Sequence, residues 1–293
     1  MDEFEDHFRV ATTVNHASRM ENTTENNIFV LDDDLEIVGK ITDIAPGEDI
    51  YSARFMGKKA YLVTFKRIDP FFVIDLADPE DPKILGKLKI PGYSDYMHPY
   101  DENHIIGIGK DTEAAEEEAG DFFWHQGLKI AIFDVTDVEN PKEMYKTVIG
   151  DRGTDSPILW DPKAFLLDKE KELMVIPITI AEIDDEIKSD PMAERWTYGD
   201  TVFQGALVYN ITIEDGIKEI GRISHLEDEE LYQNSGSYFY SYGTEIQRSL
   251  YMDNILYTIS TGFIKANDLD NDLSEEAVID LGYEDYYGDE YYY

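Results

Sequence analysis

The 293 residues, 42% hydrophobic and 13% aromatic, carry enough apolar side chain to pack a core, which excludes a disordered chain. Sixty-three acidic against 25 basic residues leave a net charge of −38, a surface that repels phosphate backbones and anionic headgroups, so nucleic acid is excluded as a partner. With no cysteine there are no disulfides, thiolate metal sites, thiol nucleophiles or iron–sulfur clusters, and no apolar run reaches the roughly 18–20 residues of a membrane span.

The acidic start, MDEFEDHF, lacks the positive region and apolar core of a signal peptide. FRVATTV at 8–14 reads as a strand, and NNIFVLDDDLEIVGKI at 26–41 as a shortened strand–turn–strand unit. YSARFMGKKAYLVTF at 51–65 reads as two strands around a tight polar turn. FFVIDLADPEDPKILGKLKIPG at 71–92 follows as an apolar strand, an Asx- and Pro-rich turn and a second strand ending near Gly. That order returns three times. DYMHPYDENHIIGIG at 95–109 precedes LKIAIFDVTDVENPKEMYKTVIG at 128–150, and WDPKAFLLDKEKELMVIPI at 160–178 precedes GALVYNITIEDGIKEIGRISH at 205–225. EIQRSLYMDNILYTIS at 245–260 then precedes FIKANDLDNDLSEEAVIDLG at 263–282.

Each pair joined to its hairpin gives four antiparallel strands, the plan of a propeller blade. The fold class is therefore all-β, a β-propeller of about five four-stranded blades, the first of them incomplete because its innermost strand is missing. Asp32, Asp75, Asp134, Asn210 and Asn267 stand where a strand enters its turn, and their side chains are expected to bond amides two residues on. Acidic stretches at 111–127, 181–204 and 227–243 interrupt the repeats as loops. Without a Pro/Gly/Ser linker, residues 1–282 read as a single domain, and YEDYYGDEYYY at 283–293 as an acidic, Tyr-rich, disordered tail.

The stretch GEDIYSARFMGKKAYLVTFKRIDPFFVIDLADPEDPKILGKLKIPGYSDYMHPYDENHIIGIGKDT, followed by GLKIAIFDVTDVENPKE and VIGDRGTDSPILWDPKAFLLDKE, resembles the archaeal and bacterial C-terminal β-propeller domain proteins, distant relatives of WD40 repeats. The likeness covers roughly residues 8–282. It implies a secreted or cell-surface propeller with no established enzymatic activity, and it brings no catalytic residues. It also implies further blade material and a signal or anchor upstream, so the chain is expected to be truncated at its N-terminus.

Arg54, His98 and Arg248 each stand seven positions before a matched apolar run, at Tyr61, Ile105 and Ile255, and Lys163 takes the corresponding place before FLLDKEKELMV. Innermost strands line a propeller's channel, so these four residues are the candidate ligand-binding ring, suited to a carboxylate, phosphate or sulfate. The competing reading pairs them with nearby acids such as Asp95, Asp161 or Glu245.

The six histidines show no zinc spacing, and Leu273 and Ile279 stand where a calcium loop beginning at Asp268 needs Gly and Glu; neither metal nor cofactor is expected. A looser calcium turn there stays open beside a plain acidic one. Neither a G-x-S-x-G elbow, a P-loop nor a dinucleotide fingerprint is present. Trp124, Trp160, Trp196 and the Tyr-rich 232–242 stretch are candidates for stacking sugars or for blade packing. The reading favours a non-catalytic extracytoplasmic module that binds a protein, glycan or small anion. The alternative is a propeller-type hydrolase or lyase, a calcium-dependent one included, with its site at the channel mouth.

Overall fold

The computed structural model describes residues 1–17, 22–65, 69–90, 92–114, 123–189, 197–226 and 243–283. Its strands form five sheets, each of four antiparallel strands in chain order. The first holds β1 (Asp2–Phe4), β2 (His7–Ala17), β3 (Asn22–Leu31) and β4 (Ile37–Ile44). The second holds β5 (Asp49–Met56), β6 (Lys59–Phe65), β7 (Asp69–Asp75) and β8 (Lys83–Ile90). The third holds β9 (Tyr93–Pro99), β10 (His104–Ala114), β11 (Phe123–Asp134) and β12 (Lys142–Ile149). The fourth holds β13 (Leu166–Asp168), β14 (Leu173–Glu182), β15 (Asp200–Thr212) and β16 (Gly216–Ile223), and the fifth β17 (Arg248–Met252), β18 (Ile255–Ile259), β19 (Phe263–Asp268) and β20 (Ser274–Asp280). The chain divides into two compact units, Met1–His125 with Lys129–Thr147 and Gln126–Leu128 with Val148–Tyr293.

Within the first unit the second sheet is covered on both faces, which is why its middle strands read as continuous apolar runs. One face of β6 and β7 (Ala60, Leu62, Phe72, Ile74) packs on Ile28, Val30 and Ile44 of the first sheet. The other face (Tyr61, Val63, Phe71, Val73) packs on Tyr93, Met97, Ile105, Ala131 and Phe133 of the third. In the second unit, Leu173, Val175, Ala206, Val208 and Ile223 pack against Ile246 and Leu256.

The first sheet is complete, which corrects the expectation of a missing inner strand. β1 pairs with β2 from Asp2↔Arg9 to Phe4↔His7, around a two-residue turn in which Glu5 and Asp6 take φ of 47° and 63°. Such a left-handed pair is the hairpin geometry usually carried by Asn-Gly, so Glu-Asp gave no turn signal. Arg9, 2% exposed, holds the short strand in place. Its Nε and Nη2 donate to the two Asp2 carboxylate oxygens at 2.8 and 2.6 Å and its Nη1 to the Gly57 carbonyl at 2.5 Å, with its guanidinium over the Phe4 and Phe55 rings.

Asx turns behave as expected in three sheets. Asp32, Asp75 and Asp134 each accept from the amide two residues on, at 3.1, 2.9 and 2.8 Å. Asn210 instead donates through Nδ2 to Glu172 at 3.0 Å, tying the outer turn to the inner one. The fifth anchor is Asp268, one residue past Asn267. Leu269 donates to the Asn254 carbonyl just as Leu76 does to Lys58, Val135 to Asn103 and Ile211 to Glu172, all at 2.8 Å.

An outer-strand glycine recurs where the turn of the following sheet closes in. A Cβ on Gly39 would meet the Pro79 carbonyl oxygen at 2.0 Å, one on Gly86 the Val138 oxygen at 2.2 Å, and one on Gly221 the Leu273 side chain at 2.5 Å. The insertions leave from the opposite end of each sheet and are narrower than the sequence suggests, because β10 runs on to Ala114 and β15 begins at Asp200. The second carries a short helix, α1 (Asp185–Ser189). The 227–242 stretch and residues 284–293 of the expected tail lie outside the described residues.

Candidate functional site

In the first unit the innermost strands β5 and β9 run side by side, joined where the Ser52 hydroxyl donates to the Ser94 carbonyl at 2.6 Å. Arg54 stands opposite Tyr61 in the β5–β6 ladder, with its side chain exposed. Across from it, Tyr96 and His98 alternate onto one face of β9, the tyrosine oxygen 2.7 Å from His98 Nδ1. Burial, and then the charge of Arg54, push the His98 imidazole down to about 4, so the ring is neutral at pH 7. Burial likewise raises the Tyr96 phenol. Among the described residues no carboxylate lies within ion-pair distance of Arg54. This corner therefore offers a full positive charge beside two neutral hydrogen-bonding groups.

In the second unit the expected arrangement changes. Lys163 is not on a strand, because the innermost strand of the fourth sheet is broken. Asp155 bridges to Thr179, the chain then leaves through two 3₁₀ turns, Pro157–Leu159 and Pro162–Ala164, and pairing resumes only at Leu166–Asp168. Proline opens each turn, where its missing N–H and fixed φ cost nothing, and Ser156 and Asp161 cap them. Lys163 contributes its backbone amide, which donates to Asp161 Oδ1 at 3.1 Å.

Arg248 Nη2 donates to the other Asp161 oxygen and Nη1 to the Gln247 carbonyl at 2.6 Å, so this arginine takes the acid-paired state that the competing reading foresaw. The Lys163 amide first, and then Arg248, hold the Asp161 carboxyl below the usual range. A second staple joins the same strands: the Tyr251 hydroxyl donates to Asp168, lowering that acid.

Equal sequence spacing does not give equal rungs. Arg54 lies two residues before the hairpin corner Met56↔Lys59, Arg248 four before Met252↔Ile255, and His98 stands opposite Ile106. The apolar runs used for alignment start at different distances from their turns.

The remaining candidates resolve locally. His225 is buried, its ring nitrogens 2.9 Å from Ser260 Oγ and 2.8 Å from Thr258 Oγ1, and burial pushes it down to about 4. Asp268 accepts from the Asp270 amide at 2.9 Å and from Asn254 Nδ2 at 2.8 Å, so its carboxylate holds the acidic turn together. Among the described residues no three His, Asp or Glu side chains converge on a common point. Trp196 and the Tyr-rich 232–242 stretch lie outside them.

Three features were not read from the sequence. A cleft of about 570 Å³ in the first sheet is lined by Glu3, Asp6, His7, Phe8, Asp32 and Asp33. Glu245 is raised by burial and then by the nearby charge of Asp155. Trp160, between the two 3₁₀ turns, leaves 64% of its surface in solvent.

The chain belongs to the beta propeller domain family, which it matches over residues 1–271. It is 36% identical over 260 residues to an uncharacterized protein of Methanocaldococcus jannaschii, covering 89% of this chain and 33% of that protein. It is 40% identical over 177 residues to an uncharacterized protein of Archaeoglobus fulgidus, covering 60% and 25% respectively. The chain thus spans between a quarter and a third of the length of these archaeal relatives. Among solved structures it is similar to a europium-containing methanol dehydrogenase, with a TM-score of 0.48 at 9% identity over 93% of this chain and 50% of that one. It is also similar to Sqt1 of Chaetomium thermophilum, with a TM-score of 0.41 at 9% identity over 92% and 68%.

Proposed function

We propose that this chain is a non-catalytic, extracytoplasmic binding module, and that Arg54, on an innermost strand of the first unit with His98 beside it, takes an anionic group of the ligand. In the second unit Arg248 is held by Asp161 and Lys163 stands off the strands, so neither belongs to the proposed site. The observation that carries the reading is Arg54, an exposed guanidinium in a chain of net charge −38 with no carboxylate paired to it among the described residues. A carboxylate, sulfate or phosphate docked there receives charge-assisted hydrogen bonds from the guanidinium, while neutral His98 and Tyr96 supply uncharged partners. The resemblance to secreted propellers supports the location, which protease shaving of intact cells tests: release of the protein supports it, and complete protection overturns it. Calorimetric titration with sulfate and phosphate tests the site. Arg54→Gln weakens binding at least tenfold, and an unchanged affinity removes the anion reading.

A second reading, a propeller-type hydrolase or lyase, draws on one observation: the Glu245 carboxyl is raised by burial and then by the charge of Asp155, the direction of shift a general acid requires. Turnover of chromogenic glycosides or esters, with and without calcium, that is lost in Glu245→Gln would favour it. No turnover by the wild type would remove it.

A further inference from the structure

Charge is not spread evenly over this chain. From Asp49 to Ile90, the span of the second sheet, eight basic residues stand against six acidic ones, whereas the rest of the chain carries 17 basic and 57 acidic residues. Three of those eight share one hairpin: Arg54 on β5, Lys58 in the turn and Lys59 at the start of β6. The ladder fixes their relation. Met56 pairs with Lys59 and Arg54 with Tyr61, so Arg54 and Lys59 stand on one face as diagonal neighbours, roughly 7 Å apart at Cβ. Gly57, with φ of 55°, lets the chain reverse within two residues, which puts Lys58 at the corner beside them.

Among the described residues none of the three makes an ion pair. Asp75, opposite Lys59 on β7, accepts from the Ala77 amide at 2.9 Å instead, and the acidic turn that follows takes its own lysine, Lys83 on Asp81 at 2.5 Å. Next to burial, the charge of Arg54 acts on both Tyr96 and His98, so this hydrogen-bonded pair on β9 faces the same corner. Like charges this close repel one another, and an anion with one charged group offsets only part of that repulsion. An anion with two or more such groups spans Arg54 and Lys59 together.

We propose that the ligand of the Arg54 site is a multivalent anion, whose oxyanion groups bridge Arg54 and Lys59 with Lys58 closing the corner. The assignment rests on the anion-binding reading and deepens it. Its chemistry is shared by a linear polyphosphate and by a di- or tricarboxylate. Arg54 takes one group through its planar fork, the two ammonium groups meet the next as point charges, and Tyr96 and His98 supply uncharged partners. Holding both charged groups in one molecule makes the second contact intramolecular, so affinity rises well beyond that of either group alone.

The test is calorimetry of the full chain in metal-free buffer at low ionic strength, comparing orthophosphate with tripolyphosphate and acetate with citrate. At least one multivalent anion binds tenfold or more tighter than its one-group counterpart, and the arm that shows it identifies phosphate or carboxylate as the source. Lys59→Gln lowers that affinity at least tenfold and leaves the one-group anion within twofold, whereas Arg54→Gln weakens both. Lys87→Gln, which removes a cation from the opposite face of the same sheet, changes neither. All three variants keep the wild-type melting temperature. Equal affinity for one-group and multivalent anions, or an unchanged multivalent affinity in Lys59→Gln, overturns the proposal, while Arg54-dependent binding of the simple anion leaves the wider reading standing. If Lys87→Gln weakens binding as much as Lys59→Gln, the attraction is diffuse and the proposal is likewise overturned. Absence of any anion binding overturns both.

Discussion

Arg54 and Arg248 hold the same place in the repeat by sequence, seven residues before an apolar run, yet the two units use them differently. In the first unit the lock is a buried arginine: Arg9 clamps Asp2 and the Gly57 carbonyl, and outer-strand glycines admit the backbone of the neighbouring turn. Arg54 is left without a carboxylate among the described residues. In the second unit the innermost strand of the fourth sheet is broken, and Arg248 with Asp161 and Tyr251 with Asp168 span the gap beside it. A cation at a repeated position is available to a ligand only where the fold has already been fastened by other groups.

Deleting the two arginine locks sharpens that contrast most. Arg9→Leu removes a buried guanidinium and leaves the partly exposed Asp2 carboxylate and the Gly57 carbonyl without their donor, and should cost about 2–3 kcal/mol in urea denaturation. Arg248→Leu breaks a pair whose side chains are 39% and 34% exposed and screened by solvent, and should cost clearly less. Similar losses in both would break the comparison. Next come the glycines. Gly39→Ala and Gly86→Ala drive a methyl into backbone carbonyls and should each lower stability by about 1–3 kcal/mol. Gly221→Ala meets only the movable tip of Leu273 and should cost less, as thermal melts of the three variants would show.

The pH dependence follows from His225 and His98. Both are neutral when folded down to about pH 4, against an ordinary value of 6.5, so between those limits the unfolded chain binds protons that the folded chain refuses. Each ring therefore contributes stability that is present above about pH 6.5 and lost as pH falls toward 4, on the order of 2 kcal/mol after allowing for solvent screening. Relief of carboxylate repulsion acts in the opposite direction, so the difference between variants is the informative quantity. His225→Asn should be less stable than the wild type at pH 7, with the gap narrowing toward pH 4.5. A constant gap would contradict the assignment. Smallest of all, Tyr61→Phe removes a buried hydroxyl that has no hydrogen-bond partner among the described residues, and should raise stability by up to about 1 kcal/mol in the same melts.

Much of the fold was legible because each sheet repeats one chemical order: apolar strand, Asx turn, apolar strand. Misreadings arose where local chemistry departs from that order. A three-residue strand closed by Glu5-Asp6 carries neither length nor a recognised turn, and the long-range partner that holds it, Arg9, has no sequence mark. Adjacent Asn267 and Asp268 offered two anchors, and only the ladder chooses between them. At the candidate site the repeat order predicts Lys163 on an innermost strand, whereas the Asp161-Pro162 step opens a 3₁₀ turn that takes Lys163 off it. Asp161 was recognised as a partner in reach of a cation, but its choice of Arg248 depends on residues 87 apart in the chain. Exposure of Trp160 was not readable, because an irregular segment has no period from which to infer a face.

On the proposed reading an anion reaches Arg54 but not Arg248. Anomalous diffraction from crystals soaked in selenate distinguishes the two sites. A selenium peak is expected within hydrogen-bond distance of the Arg54 guanidinium and none at Arg248, which keeps Asp161. A peak on Arg248 with Asp161 displaced, or no peak at Arg54 at saturating selenate, would contradict it.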